Sequence, residues 1–122
     1  MKISREKHYL CPDKIYNMIV TFEKEYLQNL YEKGKSGDKK HRFQPEIISR
    51  YIERIDTLKS KDSIQALYNL HSLNYEVLKG DKAGISSIRV NDKYRIEFTV
   101  TEQGAETIVT VCNILELTNH YK

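Results

Sequence analysis

At 122 residues the chain has room for one domain with a modest core, and a net charge of +3 is too small for charge alone to name a polyanionic partner. With 39% hydrophobic and 30% charged residues it reads as a globular protein and excludes the disordered and fibrous classes. Two cysteines, Cys11 and Cys112, make neither a disulfide framework nor a zinc site, and no apolar run reaches the length of a membrane span or a signal peptide, so a cytoplasmic location is expected.

In chain order, residues 19–22 are short and β-prone, and residues 23–31 place Tyr26, Leu27, Leu30 and Tyr31 on one helical stripe. Gly34 and Gly37 then break the pattern in a basic run with Lys35, Lys39 and Lys40. Such a run can touch phosphate, although a solvated connector is the simpler reading. Pro45 suits a helix's first position, and Ile47, Ile48, Tyr51, Ile52, Ile55 and Leu58 recur at the spacing of a buried helical face. Asp62 and Ser63 are candidate caps for a shorter helix through Leu70, after which residues 75–78 look extended. Residues 107–113 supply a last strand beyond a polar loop containing Gly104. Helices first and a meander of strands after them predict an α+β fold, with N-terminal helices packed on one face of a mainly antiparallel, twisted sheet.

The most informative stretch lies between Leu78 and Phe98. Ile88 and Val90 alternate with Ser87 and Arg89, while Tyr94, Ile96 and Phe98 alternate with Arg95 and Glu97, the period of two of a half-buried strand. A two-residue loop at Asn91-Asp92 sets Arg89 across from Tyr94 and mixes the faces. A three-residue loop, Asn91-Asp92-Lys93, sets Val90 opposite Tyr94 and Ile88 opposite Ile96. Because a one-residue slip flips a whole strand, the second register is expected, and it puts Arg89 directly opposite Arg95 on the non-core face. Facing like charges are destabilising, so something negative belongs nearby, either Glu97 or a ligand phosphate. A solvated arginine face balanced by Glu97 is the plainer alternative.

The residues Leu78-Lys79-Gly80-Asp81, Gly84, Ser87-Ile88-Arg89-Val90-Asn91-Asp92 and Tyr94-Arg95-Ile96 together resemble the HigB branch of the RelE/ParE-type toxins of bacterial toxin–antitoxin systems. The Pro45 helix and a carboxy-terminal histidine also fit. The resemblance runs from Met18 to the end, which implies a single RelE-like toxin domain over residues 18–122 and leaves residues 1–17 as a weakly ordered lead or extension, with Met18 as the expected natural start.

By that resemblance the chain is a ribosome-dependent messenger-RNA endonuclease. The implied chemistry needs neither metal nor cofactor: the ribose 2′-oxygen attacks the adjacent phosphorus, giving a cyclic phosphate and a free 5′-hydroxyl. A base must take the 2′-proton, an acid must protonate the leaving oxygen, and cations must stabilise the phosphorane. Lys79, Arg89 and Arg95 match the family's basic positions, with Lys82, Lys93 and Lys122 as flanking RNA-binding candidates. Glu76 stands where many relatives carry histidine, and a carboxylate is a weak base unless its environment raises its pKa. The end of the chain, with His120 before Tyr121, departs from the relatives' order of tyrosine then histidine. His120 is still a candidate acid or base, and Tyr121 a candidate to stack on a base or orient the ribose. Implied partners are a HigA-like helix-turn-helix antitoxin, the ribosome with messenger RNA in its decoding site, and operator DNA through the antitoxin complex only. Two other classes stay open: a ParE-like toxin that poisons DNA gyrase without cutting RNA, and a decayed, noncatalytic binding module. His8, His41 and His71 have no partner at metal-ligand spacing, and Cys112 reads as a small buried hydrophobe.

Overall fold

The computed structural model describes residues 14–119. Five strands form one sheet in the order β1-β5-β4-β3-β2, built from β1 (Ile15–Phe22), β2 (Glu76–Val77), β3 (Ser86–Arg89), β4 (Arg95–Gln103) and β5 (Thr107–Thr118). Strand β1 runs parallel to β5, and every other pair is antiparallel. The helices α1 (Glu25–Lys33), α2 (Pro45–Lys59) and the short α3 (Gln65–Tyr68) complete the expected α+β architecture.

The two long helices form where the apolar spacing says they should. Helix α1 buries Tyr26, Leu27 and Leu30 and stops at Gly34, whose left-handed φ of 75° lets its N–H reach the Leu30 carbonyl. Helix α2 opens on Pro45, where a missing N–H costs nothing, and buries Ile47, Tyr51, Ile55 and Leu58. The Tyr51 hydroxyl donates to the Leu27 carbonyl at 2.7 Å and so ties the two helices together inside the core. Against these faces pack Ile88, Val90, Ile96, Phe98, Cys112, Ile114 and Leu117 from the sheet. Cys112 is fully buried, as expected, and burial pushes its thiol up to about 12.

An irregularity in β5 keeps that core continuous. Glu97 pairs with Glu116 but Phe98 pairs with Ile114, so Leu115 is an extra residue. In a regular strand Ile114 and Leu117, three apart, would face opposite ways. The bulge restores the phase, and both are buried. It also gives Glu116 to α1, where its carboxylate accepts from Lys24 Nζ at 2.7 Å and from the Tyr26 hydroxyl. The turn into β5 needs Gly104, with φ at 101°, because a Cβ there would lie 2.0 Å from the Thr107 carbonyl oxygen.

Three elements differ from the sequence reading. The helix expected from Asp62 to Leu70 shrinks to α3, with no side-chain cap. Around it the chain makes i to i+3 bonds, Leu67 N–H to Ile64 O at 2.9 Å and Leu73 N–H to Leu70 O at 2.9 Å among them, so it descends as tight turns to Asn74. Strand β5 continues five residues beyond Asn113, because its pairing with Arg95 to Phe98 holds polar Glu116 and Thr118 in the ladder. Strand β1 begins at Ile15, since Ile15, Tyr16 and Asn17 find parallel partners in Thr107, Ile108 and Val109.

Phe98→Ala removes the largest sheet-side ring of the core and is expected to lower stability by about 3–5 kcal/mol in urea unfolding, whereas Ile19→Ala, 47% exposed, should stay within about 0.5 kcal/mol. Burial opposes ionisation of Glu116, but the hydrogen bonds from Lys24 and Tyr26 outweigh it and hold the carboxyl below its ordinary value. A carboxyl depressed in the folded state contributes stability above its unfolded pKa and loses it as pH falls through the folded pKa. Glu116→Gln should therefore flatten the acid limb of a plot of unfolding midpoint against pH; an unchanged limb would refute that role.

Candidate functional site

The hairpin adopts the register that the apolar pattern demanded. Val90 N–H meets the Tyr94 carbonyl at 2.9 Å, Ile88 pairs with Ile96, and Arg89 pairs with Arg95 across the ladder. The three-residue loop is closed by Asn91, whose Oδ1 accepts from the backbone N–H of Lys93 at 2.9 Å and of Tyr94 at 2.8 Å.

Facing one another on the backbone, the two arginines have different surroundings. Arg95 is 8% exposed and lies along the sheet: Nε donates to Ser87 Oγ, and Nη2 donates to the Asn74 carbonyl at 2.7 Å. The same nitrogen is 3.3 Å from Glu76 Oε2. The acid beside Arg95 is thus Glu76 from β2. Glu97 is 4% exposed and accepts from Lys82 Nζ at 2.7 Å. The face expected to be open is therefore buried around Ser87, Arg95 and Glu97, because the segment from Asn74 to Lys82 closes on it and supplies a partner for each charge. Lys79 is exposed at the start of the 3-10 turn Gly80–Lys82.

Arg89 lies at the other side of this corner. Strand β2 is only two residues long and pairs with Ser86 and Ser87, so β3 is uncovered at Arg89. Helix α2 fills the gap: Arg54 Nε donates to the Arg89 carbonyl at 2.9 Å. Burial, with repulsion from Arg50 and Arg89 against partial relief from Glu53, holds the Arg54 guanidinium below its ordinary value. The half-exposed Arg89 guanidinium pairs with Asp92 at the loop. A groove of about 750 Å³ opens here between α2 and the hairpin, with Arg42, Arg50, Arg89, Lys93, Tyr94 and Asn119 on its walls. Four cations against Glu46 and Asp92 make it a net positive groove.

Sequence reasoning singled out Lys93 and Arg89 in this groove but missed Arg42 and Arg50 on its walls, and Arg54, which holds the Arg89 carbonyl beside it. Arg50 and Arg54 are one helical turn apart on α2, a readable signal, but the sequence does not say which side of the helix meets the hairpin. His120, Tyr121 and Lys122 lie outside the described residues, as do His8 and Cys11; Asn119, next to His120 in sequence, lines the groove. Among the described residues no group of three His, Cys, Asp or Glu side chains could hold a metal ion, and no helix is long and apolar enough to cross a membrane. Arg95→Ala orphans the Asn74 carbonyl and Ser87 and should cost about 2 kcal/mol in urea unfolding, while Arg89→Ala, half-exposed, should cost under about 0.5 kcal/mol.

A family model of the RelE-like toxin HigB of type II toxin–antitoxin systems matches residues 20–111. In fold the chain is similar to the YoeB/ParE toxin from Agrobacterium tumefaciens, at 18% identity over 85% of this chain and 100% of that one, with a TM-score of 0.52. The YoeB–YefM complex from Staphylococcus aureus is 21% identical over 86% of this chain and 99% of that one, with a TM-score of 0.48. No curated protein matches the chain. The family match takes in all three helices, the whole arginine hairpin and parts of β1 and β5, and on that ground the chain belongs to the HigB-like, RelE-like toxins of type II toxin–antitoxin systems.

Proposed function

We propose that this toxin is a ribosome-dependent messenger-RNA endonuclease that cleaves by metal-independent transesterification. The observation that carries the reading is the corner at β2 and β3, where a partly exposed carboxylate, Glu76, is held at 3.3 Å by the buried Arg95, with Lys79 following three residues on. A carboxylate fixed by a guanidinium that is itself tied to Ser87 and Asn74 has a defined position, and it is that placement, rather than any gain in basicity, that supports Glu76 as the proton acceptor.

In this mechanism Glu76 takes the proton of the ribose 2′-hydroxyl as the 2′-oxygen forms its bond to phosphorus. The bond from phosphorus to the 5′-oxygen breaks, and that oxygen receives a proton from His120. The products are a 2′,3′-cyclic phosphate and a 5′-hydroxyl. Lys79 and the Arg89 and Arg95 guanidinium groups stabilise charge on the phosphorane, Arg95 through the charge facing Glu76 and Arg89 from the groove side. Tyr121 stacks on a base or orients the ribose, and Lys82, Lys93 and Lys122 hold flanking phosphates, Lys93 from the groove wall and Lys82 from beside Glu97.

The toxin domain is residues 18–122, preceded by a lead over residues 1–17 whose last three residues extend β1. N-terminal mass analysis of the natively expressed protein tests this: a chain starting at Met18 supports it, and one starting at Met1 or at any other residue of the leading segment overturns it. Membership of a type II system implies a protein antitoxin, for which we propose a HigA-like helix-turn-helix protein that alone carries the complex to operator DNA. The setting of this chemistry is the cytoplasm.

Mapping of transcript 5′-ends after brief induction tests the reaction. Cuts inside translated codons are expected from the wild type, to vanish when translation is blocked, and to fall about 100-fold or more in Glu76→Gln and in Arg89→Ala. Growth arrest without cuts would overturn the endonuclease in favour of another target such as gyrase. Neither cuts nor arrest would leave a binding module.

A further inference from the structure

Strand β1 is an outer edge of the sheet, paired with β5 on one side only. Natural edges are blunted by charge, proline or a bulge, because a row of unpaired N–H and C=O groups invites another strand. This edge has none of the three. The 8 residues Ile15–Phe22 include no charged residue and no proline, and their register with β5 runs unbroken from Ile15↔Thr107 to Phe22↔Ile114. On the sheet face away from the helices Ile15 is 63% and Ile19 47% exposed, and half-buried Val111 lies opposite Ile19.

Which main-chain groups the edge offers follows from two hydrogen bonds. The Ile15 N–H donates to the Glu106 carbonyl at 3.1 Å and the Glu23 N–H to the Ile114 carbonyl at 2.8 Å, so the odd-numbered residues turn their main-chain groups to β5. Tyr16, Met18, Val20 and Phe22 therefore turn theirs to the open edge, while Met18, Val20 and Phe22 pack their side chains on the core. Ile15, Asn17, Ile19 and Thr21 carry theirs on the other face, and the Asn17 amide has no partner among the described residues. Thr21 Oγ1 donates to Asn113 Oδ1 at 2.8 Å, which leaves its own lone pairs open to a donor.

The chemistry of β1 reads the same in both directions from Ile19. On either side stand Met18 and Val20, both apolar, then Asn17 and Thr21, both polar, then Tyr16 and Phe22, both aromatic. An antiparallel copy centred on Ile19 sets like against like. Tyr16 meets the partner's Phe22 and Met18 the partner's Val20, each pair exchanging two N–H···O bonds, which makes about eight across the axis against about ten in a standard interface. Asn17 reaches the partner's Thr21 hydroxyl, and Ile19 packs on the partner's Ile19. An axis between two residues would mix the faces and oppose outward main-chain groups to inward ones. Moving the axis to Met18 would set Asn17 against Ile19 and Tyr16 against Val20, and the match is lost. A two-fold contact requires such a palindromic edge, and an unrelated partner requires none. We propose that β1 pairs antiparallel with β1 of a second copy of this chain, about a two-fold axis at Ile19, so that two five-stranded sheets become one. A chain beginning at Met18 lacks Tyr16 and keeps only the two central bonded pairs, so this pairing belongs to the chain that carries the lead.

The test uses the full chain carrying Glu76→Gln, which permits expression, in sedimentation velocity between roughly 1 and 100 µM. A dimer that grows with concentration is expected. Adding Ile19→Lys sets like charges face to face on the axis and should weaken it about 10-fold or more, with the unfolding midpoint of the monomer unchanged, while Ile19→Val should keep it. Register is read by disulfides in a Cys11→Ser background. Cα atoms of a non-hydrogen-bonded pair stand about 4.5 Å apart, so Ile19→Cys should link two copies on mild oxidation. Asn17→Cys should not, because its own copy lies roughly 13 Å away along the strands. A chain that stays monomeric at every concentration would overturn the proposal, as would a dimer indifferent to Ile19→Lys. Linkage through Asn17→Cys in place of Ile19→Cys would overturn the axis. A monomeric wild type whose Ile19→Lys variant loses its antitoxin would assign the edge to a strand of a different protein and overturn the second copy.

Discussion

The pairing of β3 with β4 is the constraint from which the rest of the site follows. Ile88 and Val90 must enter the same core as Ile96 and Phe98, which rules out every register slipped by one residue, and the three-residue loop closed by Asn91 selects the observed one among the rest. That apolar requirement, with no reference to charge, sets Arg89 against Arg95. Two guanidinium groups in facing positions are tolerable only if their environments differ, and here one is buried among acceptors while the other remains half-exposed beside Asp92.

The means of separation is the chain between α2 and β3. Its tight turns bring Asn74 and Glu76 to one edge of the sheet, and Lys82 to Glu97. A buried charge is costly unless paired and hydrogen-bonded, and Arg95 and Glu97 each have a partner supplied by this segment. The same segment ends its pairing after two residues, so the upper edge of β3 is free for α2, and Arg54 fills it. A short β2 therefore has two consequences: a fixed carboxylate at the corner and an open positive groove at the hairpin end.

Much of this was legible in the sequence wherever the signal is local. The α2 face is a period-3.6 pattern, the hairpin is two period-2 patterns closed by an Asx turn at Asn91, and the Leu78-to-Ile96 motif carries the family resemblance. What was misread depends on distant segments. The capacity of Asp62 and Ser63 to cap a helix lost to tertiary packing that winds 63–74 into single turns. The length of β5 depended on β4 accepting a bulge at Leu115. The partners of Arg95 and Glu97 depended on where a poorly patterned segment came to rest. The arginines of the groove, Arg42 and Arg50, are separated from Arg89 by about forty residues of sequence, and no spacing rule links them.

By itself, then, the sequence determined the two long helices, the hairpin and its register, and the identity of the charged residues available for chemistry, because alternation, helical periodicity and turn chemistry act over a few residues. Tertiary structure alone decided which arginine is buried and which faces a groove, that Glu76 pairs with Arg95 while Glu97 pairs with Lys82, and that Arg42 of the lysine-rich connector lines the same groove as the hairpin. Those outcomes rest on the burial and hydrogen-bonding of charges. Whether a charge is buried is a property of everything packed around it, and the residues that do the packing lie far away along the chain.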